Sequence, residues 1–76
     1  MKRQVVIFRT LSNINRLKII SMLSGGGKIN VGDIAENLHI SAKATSNHLA
    51  MLKNLDILES QGVDNHVFYF LNKNRK

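Results

Sequence analysis

Seventy-six residues, 43% of them hydrophobic, with 11 Lys+Arg against 5 Asp+Glu, make a single basic domain of formal net charge +6. A chain this short buries only about 60% of the surface it exposes when extended, so its core is thin, and a long catalytic cleft with its own supporting shell is excluded. The absence of Cys rules out a disulfide framework, a thiolate metal site and a cysteine nucleophile. The charge balance favours an anionic partner, most often nucleic acid.

In chain order, the segment from Gln4 to Leu11 is dense in apolar residues and helix-like. Its longest apolar run, Val5-Val6-Ile7-Phe8, is too short for a signal peptide or a membrane span, so the chain reads as soluble and cytoplasmic. Four consecutive apolar side chains cannot all enter one small core, and Val5, Val6, Ile7 and Phe8 are therefore assigned to a homodimer interface. Ser12 stands as N-cap of a second helix with Leu17, Ile20 and Leu23 on one face and Lys18 on the other. Gly25-Gly26-Gly27 reads as a flexible turn; with Ile29 after Lys28 it lacks a phosphate-binding loop's pattern.

Past the glycines, Val31, Ile34, Ala35 and Leu38 recur at i, i+3, i+4 and i+7, the apolar stripe of a helix that Asn30 caps and Asp33 favours in its first turn. His39-Ile40 is a very short connection, and Ser41 caps the next helix. There Thr45, His48, Leu49 and Leu52 repeat the template, leaving Ala42, Lys43, Ser46, Asn47 and Ala50 opposite. Two amphipathic helices joined this tightly form a helix-turn-helix, spanning about 31–54. The period then becomes alternating. Residues 57–61 and 66–71 read as strands of a hairpin wing (about 57–71) around a 62–65 turn, with either Val67, Tyr69 and Leu71 or Phe68 and Phe70 facing the helices.

Helix, helix, short strand, helix-turn-helix and hairpin is the order of a winged helix, mainly α with a small β-hairpin. At Phe8-Arg9-Thr10-Leu11-Ser12-Asn13 with Arg16-Leu17-Lys18-Ile19-Ile20, at Asp33-Ile34-Ala35 through Leu38, and above all at Ser41 to Leu52 with its Ser46-x-His48-Leu49, the chain resembles the ArsR-type transcriptional repressors. The resemblance covers nearly the whole chain as one domain, 1–76. It implies a homodimer that binds double-stranded DNA, with the second helix of the pair as recognition helix. Metal-sensing members carry Cys-Val-Cys where this chain has Asn30-Val31-Gly32, so that site is absent. Two turns that usually hold Gly hold His39 and Asp56, residue types that tolerate a left-handed backbone. Gln61, Asp64 and Asn65 stand where many members have Arg or Lys in the wing, and the chain stops before the C-terminal helix that helps many members dimerise.

The expected DNA-binding residues are Ser41, Ala42, Lys43, Ser46, Asn47, His48, Asn65 and His66. Lys43 suits guanine acceptors and Asn47 adenine, Ala42 permits close approach, and Ser41 offers a hydroxyl and a backbone N–H to phosphate. The same residues also fit a cap and a solvated helix face. His48 lies on the apolar stripe, and a hydrogen-bonded core position competes with a groove-edge role. His39, His48 and His66 lie on a turn, a helix and a strand without the spacing of a zinc site, so neither metal nor cofactor is expected. Asp33, Glu36, Asp56, Glu59 and Asp64 are scattered over separate elements and suggest no enzyme. Lys2, Arg3, Lys73, Arg75 and Lys76 at the two ends fit a phosphate patch or a solubilising role. The alternatives kept open are a protein–protein winged helix, favoured by the cation-poor wing, and non-specific nucleic-acid binding. RNA is disfavoured because hairpin and core claim Phe68, Tyr69 and Phe70, leaving no exposed aromatic platform for base stacking.

Overall fold

A computed structural model describes residues 13–72, in the order α1 (Ile14–Leu23), β1 (Ile29–Asn30), α2 (Val31–Leu38), α3 (Ala42–Asn54), β2 (Leu58–Val63) and β3 (His66–Leu71). Val5, Val6, Ile7 and Phe8, and the cations at the two ends, lie outside the described residues. Asn13, not Ser12, caps α1: its Oδ1 accepts from the N–H groups of Asn15 and Arg16 at 2.9 and 3.4 Å. The buried face of α1 is Ile19 and Leu23, whereas Leu17 is 44% exposed. Leu17 sits two residues, about 200°, around the helix from Ile19, so the two cannot both face inward.

The apolar stripe of α2 forms as its spacing predicts, with Ile34, Ala35 and Leu38 buried and Val31 packed at the edge. Asn30 accepts the Asp33 N–H at 2.8 Å. The position where metal-sensing relatives are expected to hold a thiolate thus serves here as a helix cap. In α3, Thr45, Leu49 and Leu52 are fully buried. Leu49 and Leu52 join Ile19, Leu23 and Leu58 in one core, with Ile20, Ile40, Ile57, Tyr69 and Leu71 packed around it.

Both expected left-handed turns occur. His39 has φ 58 and Asp56 φ 61. After α2, Ile40 N–H reaches Ala35 O and His39 N–H reaches Glu36 O, each at 3.2 Å. After α3, Ile57 N–H reaches Leu52 O at 3.0 Å and Asp56 N–H reaches Lys53 O at 2.9 Å. These are two Schellman motifs, which satisfy the orphan carbonyls of a helix end and need a residue at positive φ. In each motif the residue after the turn, Ile40 or Ile57, packs on the core.

The antiparallel sheet has the order β1-β3-β2. The register pairs Val63 with His66, so the hairpin turn is Asp64-Asn65 alone, and Gly62 and Val63, expected in the turn, belong to β2. Both turn residues have positive φ, 50 and 68, as a two-residue type I′ connection requires to match the strand twist. Tyr69 and Leu71 face the core, while Val67 on the same side is 45% exposed near the hairpin end. Phe68 and Phe70 take the opposite side of β3, half-buried. They do not enter the core, because side chains alternate across a strand.

Candidate nucleic-acid interface

Helix α3 carries the candidate site, and its N-terminus sets the geometry. Ser41 Oγ accepts the Ala44 N–H at 3.0 Å, and Ser41 O accepts from Thr45 N–H at 3.0 Å and Thr45 Oγ1 at 2.9 Å. The Thr45 hydroxyl is thereby satisfied although fully buried, which removes the penalty of an unpaired polar group in the core. Ser41 acts as a cap and its hydroxyl proton stays available to an acceptor, so the structural and the functional reading of this residue coexist.

With Thr45, Leu49 and Leu52 held inward, the helix turns Ala42, Lys43, Ser46, Asn47 and Ala50 to solvent. Of the expected residues, Ser41, Ala42, Lys43, Ser46 and Asn47 are all exposed at the start of α3, on adjacent turns. Met51, 40% exposed, extends this face toward the C-terminus. It is absent from the sequence-based set, although its i+4 spacing from Asn47 signals the shared face.

His48 lies at the border of the two faces, half-buried. Its Nδ1 accepts a hydrogen bond from Arg16 Nε at 3.1 Å. Burial lowers its pKa below the ordinary value, and the neighbouring guanidinium lowers it further. The imidazole is therefore neutral at pH 7. Nothing local signals this contact, because Arg16 is 32 residues away in sequence.

Asn65 and His66 stand apart from α3, at the hairpin turn and the start of β3, both exposed. The His66 ring meets Phe68 edge-on, with centroids 6.4 Å apart. Two lysines are engaged by the sheet: Lys53 Nζ donates to Ser60 Oγ at 2.6 Å, and Lys28 Nζ donates to Gln61 Oε1 at 2.5 Å while lying 5.1 Å from the Phe70 ring centroid. The sheet thus draws cations into its own stability, while Lys43 projects from an exposed helix face.

Among the described residues no group of three His, Cys, Asp or Glu side chains is placed to hold a metal ion. A half-open cleft of about 590 Å³ between the end of α1 and the sheet is lined by Leu23, Lys28, Phe70 and Leu71, with Glu59 its one carboxylate. Glu59 accepts from Asn72 Nδ2 at 3.3 Å. Among the described residues no helix is long and apolar enough to cross a membrane.

Comparison with known proteins agrees with this geometry. The family model "Bacterial regulatory protein, arsR family" matches residues 13–60, from the α1 cap into β2. The transcriptional repressor SdpR of Bacillus subtilis is 35% identical over 66 residues, covering 87% of this chain and 72% of SdpR. The transcriptional activator HlyU of Vibrio cholerae is 32% identical over 69 residues, 91% of this chain but 63% of HlyU. The HlyU structure superposes with a TM-score of 0.84 over 95% of this chain and 77% of that one, at 30% identity. A homodimeric winged helix-turn-helix DNA-binding domain from Mycobacterium bovis, at 23% identity, shares the fold with a TM-score of 0.82 over 92% of this chain and 64% of that one.

Proposed function

Since the chain belongs to the ArsR family of DNA-binding transcriptional regulators, which are not enzymes, we propose that it is a sequence-reading repressor that occupies its operator as a homodimer. The observation that carries this reading is the two-sided character of α3. Buried Thr45, Leu49 and Leu52 fix the helix rotation, so that Ala42, Lys43, Ser46 and Asn47 form one exposed strip suited to a major groove. Lys43 would approach guanine acceptors and Asn47 would pair with an adenine edge, while Ser41 would bond a phosphate. Asn65 and His66 would reach the DNA only at the wing, where Asp64 opposes phosphate approach. His48 would lie at the groove edge.

A dimer places two copies of α3 about one DNA turn apart and calls for an inverted-repeat site. The fold relative from Mycobacterium bovis is described as homodimeric, and Val5, Val6, Ile7 and Phe8 are our candidates for the contact. Relatives include both a repressor and an activator; repression is the simpler outcome for a chain in which α3 alone supplies the reading face. With no Cys in the chain, thiolate metal sensing forms no part of the mechanism, and the proposed site of action is the cytoplasm.

The test is selection from a random duplex pool at two salt concentrations, with the mass in solution measured for the chain and its Val6→Glu variant. An enriched inverted repeat, bound less tightly at higher salt, and a dimer that Val6→Glu dissociates are the expected results. Salt-sensitive binding without an enriched sequence overturns sequence reading. A protein-contact winged helix is the second reading, favoured by the wing's exposed Val63 and Val67 beside Asp64, and it predicts no duplex binding at all.

A further inference from the structure

Arg16 and His48 tie the first turn of α1 to the middle of α3 through the 3.1 Å contact between Nε and Nδ1. A guanidinium keeps its Nε proton at all accessible pH values. The contact therefore uses the lone pair on Nδ1, and the neutral ring carries its proton on Nε2. Among the described residues Arg16 is the side chain that hydrogen-bonds the His48 ring, and no buried side-chain nitrogen or oxygen lacks a partner. Nε2–H consequently reaches solvent, as a donor next in sequence to exposed Asn47.

We propose that Arg16 is a positioning residue for DNA recognition: through Nε it holds His48 as the Nε2–H tautomer and so presents a neutral, oriented donor to an acceptor on the DNA. The assignment rests on the DNA-binding reading above. Protonation of Nδ1 would set one N–H against another and place a second cation beside the guanidinium. Other charged groups on α3 and on the elements packed against it are Lys18 on α1, Lys43 and Lys53 on α3, Asp33 and Glu36 on α2, and Glu59 on β2. Of these charges it is the Arg16 guanidinium that hydrogen-bonds the ring, at 3.1 Å. Burial of the ring first, and Arg16 beside it, keep this part of the reading helix in one hydrogen-bonding state across the pH range in which a free histidine switches.

Two substitutions separate the hydrogen bond from the charge. Arg16→Met puts a methyl group where Nε stood, whereas Arg16→Gln keeps an N–H donor on that same atom and removes the charge. The readouts are the His48 ring tautomer by nitrogen NMR and the affinity for the selected duplex at about pH 8 and pH 6 at constant salt, the interval that spans an unperturbed histidine. In the unsubstituted chain the ring is expected as Nε2–H, with affinity changing less than about twofold over that interval. One pKa unit corresponds to about tenfold in an equilibrium constant. Arg16→Met is accordingly expected to bind more weakly at pH 8 and to tighten by up to about tenfold at pH 6, as the freed imidazole becomes a cation facing phosphate. Arg16→Gln is expected to retain the Nε2–H tautomer at pH 8 through its N–H donor, without the guanidinium charge that opposes protonation of the ring.

An Nδ1–H tautomer in the unsubstituted chain, or a flat profile in folded Arg16→Met, overturns the proposal. Where Arg16→Met does not fold, His48→Gln and His48→Asn replace it: Gln carries its amide near the Nε2 position and is expected to keep DNA affinity, Asn carries it near Nδ1 and is expected to lose it. Equal loss in both overturns the assignment. Absence of duplex binding by the unsubstituted chain overturns the DNA reading as a whole, an outcome distinct from DNA binding that Arg16 does not influence.

Discussion

The helix-turn-helix and the wing are both exposed and both sit on the same core, yet they are built in opposite ways. Helix α3 has a fully buried side, Thr45, Leu49 and Leu52, and an exposed polar side with Lys43, Ser46 and Asn47. The end of the hairpin has no buried side: Val63 and Val67 are 44% and 45% exposed, and the turn between the strands is Asp64-Asn65. Nearby cations Lys28 and Lys53 are engaged by Gln61, Phe70 and Ser60. A rigid polar face with a projecting cation can read base edges, whereas a turn that carries Asp64 repels phosphate. Under the proposed DNA-binding function, the contrast assigns recognition to α3 and a supporting part to the wing.

The largest expected effect tests whether the two regions are one folding unit. Leu52 is fully buried in the core that also holds Leu58 of β2, so Leu52→Ala should cost about 2–5 kcal/mol. In a urea titration followed by NMR, signals of Ser46 on α3 and Tyr69 on β3 should disappear together. A hairpin that outlasts the helices would break the comparison.

Next comes DNA affinity. Asn47→Ala should cost about 1–3 kcal/mol and relax preference at one base, and Lys43→Ala should weaken binding without moving the melting temperature. In the wing, Asp64→Lys should raise the salt slope by about one. A larger loss from Asn65→Ala than from Asn47→Ala in a duplex-binding assay would reverse the assignment.

Smaller effects probe how each region is held. Ser41→Ala removes the α3 cap seen at 3.0 Å and should lower stability by about 1 kcal/mol, read as a shift in the denaturant midpoint at unchanged slope. His39→Gly and Asn65→Gly relieve positive φ at one turn in each region, and each should stabilise by about 0.5–1 kcal/mol in the same assay. Similar gains at the two sites would show that the turns carry comparable strain despite their different roles.

The smallest effect is that of pH. His48 is held below its ordinary pKa in the folded chain, so on acidification the unfolded chain takes up that proton first. Its contribution to stability is complete above about pH 6.5 and declines as the pH falls through the lowered value. His48→Gln should flatten the stability profile between about pH 7 and 5, a range that brackets the free-histidine value; a profile unchanged by the substitution would remove His48 as the cause.

Much of the fold and of the candidate site is legible locally. The i, i+3, i+4, i+7 spacing of Val31, Ile34, Ala35 and Leu38 and the caps Asn30 and Ser41 define α2 and α3. The identities of His39 and Asp56 admit the left-handed turns observed at both. Asn65 follows the same logic in the hairpin, yet local composition makes that turn too wide, because Gly62 is a turn former that the strand register absorbs. In α1, apolar residues stand on more than one side, so periodicity selects Leu17 where packing selects Ile19.

By itself the sequence determined the order of the described elements, the ends of α2 and α3 and the polar strip of α3, since each depends on residues within about one helical turn of one another. Tertiary structure alone decided which side of β3 meets the core, which lysines the sheet engages, and the pairing of Arg16 with His48 across 32 residues. Those outcomes depend on how elements pack, and local spacing carries no record of which face a distant element will cover.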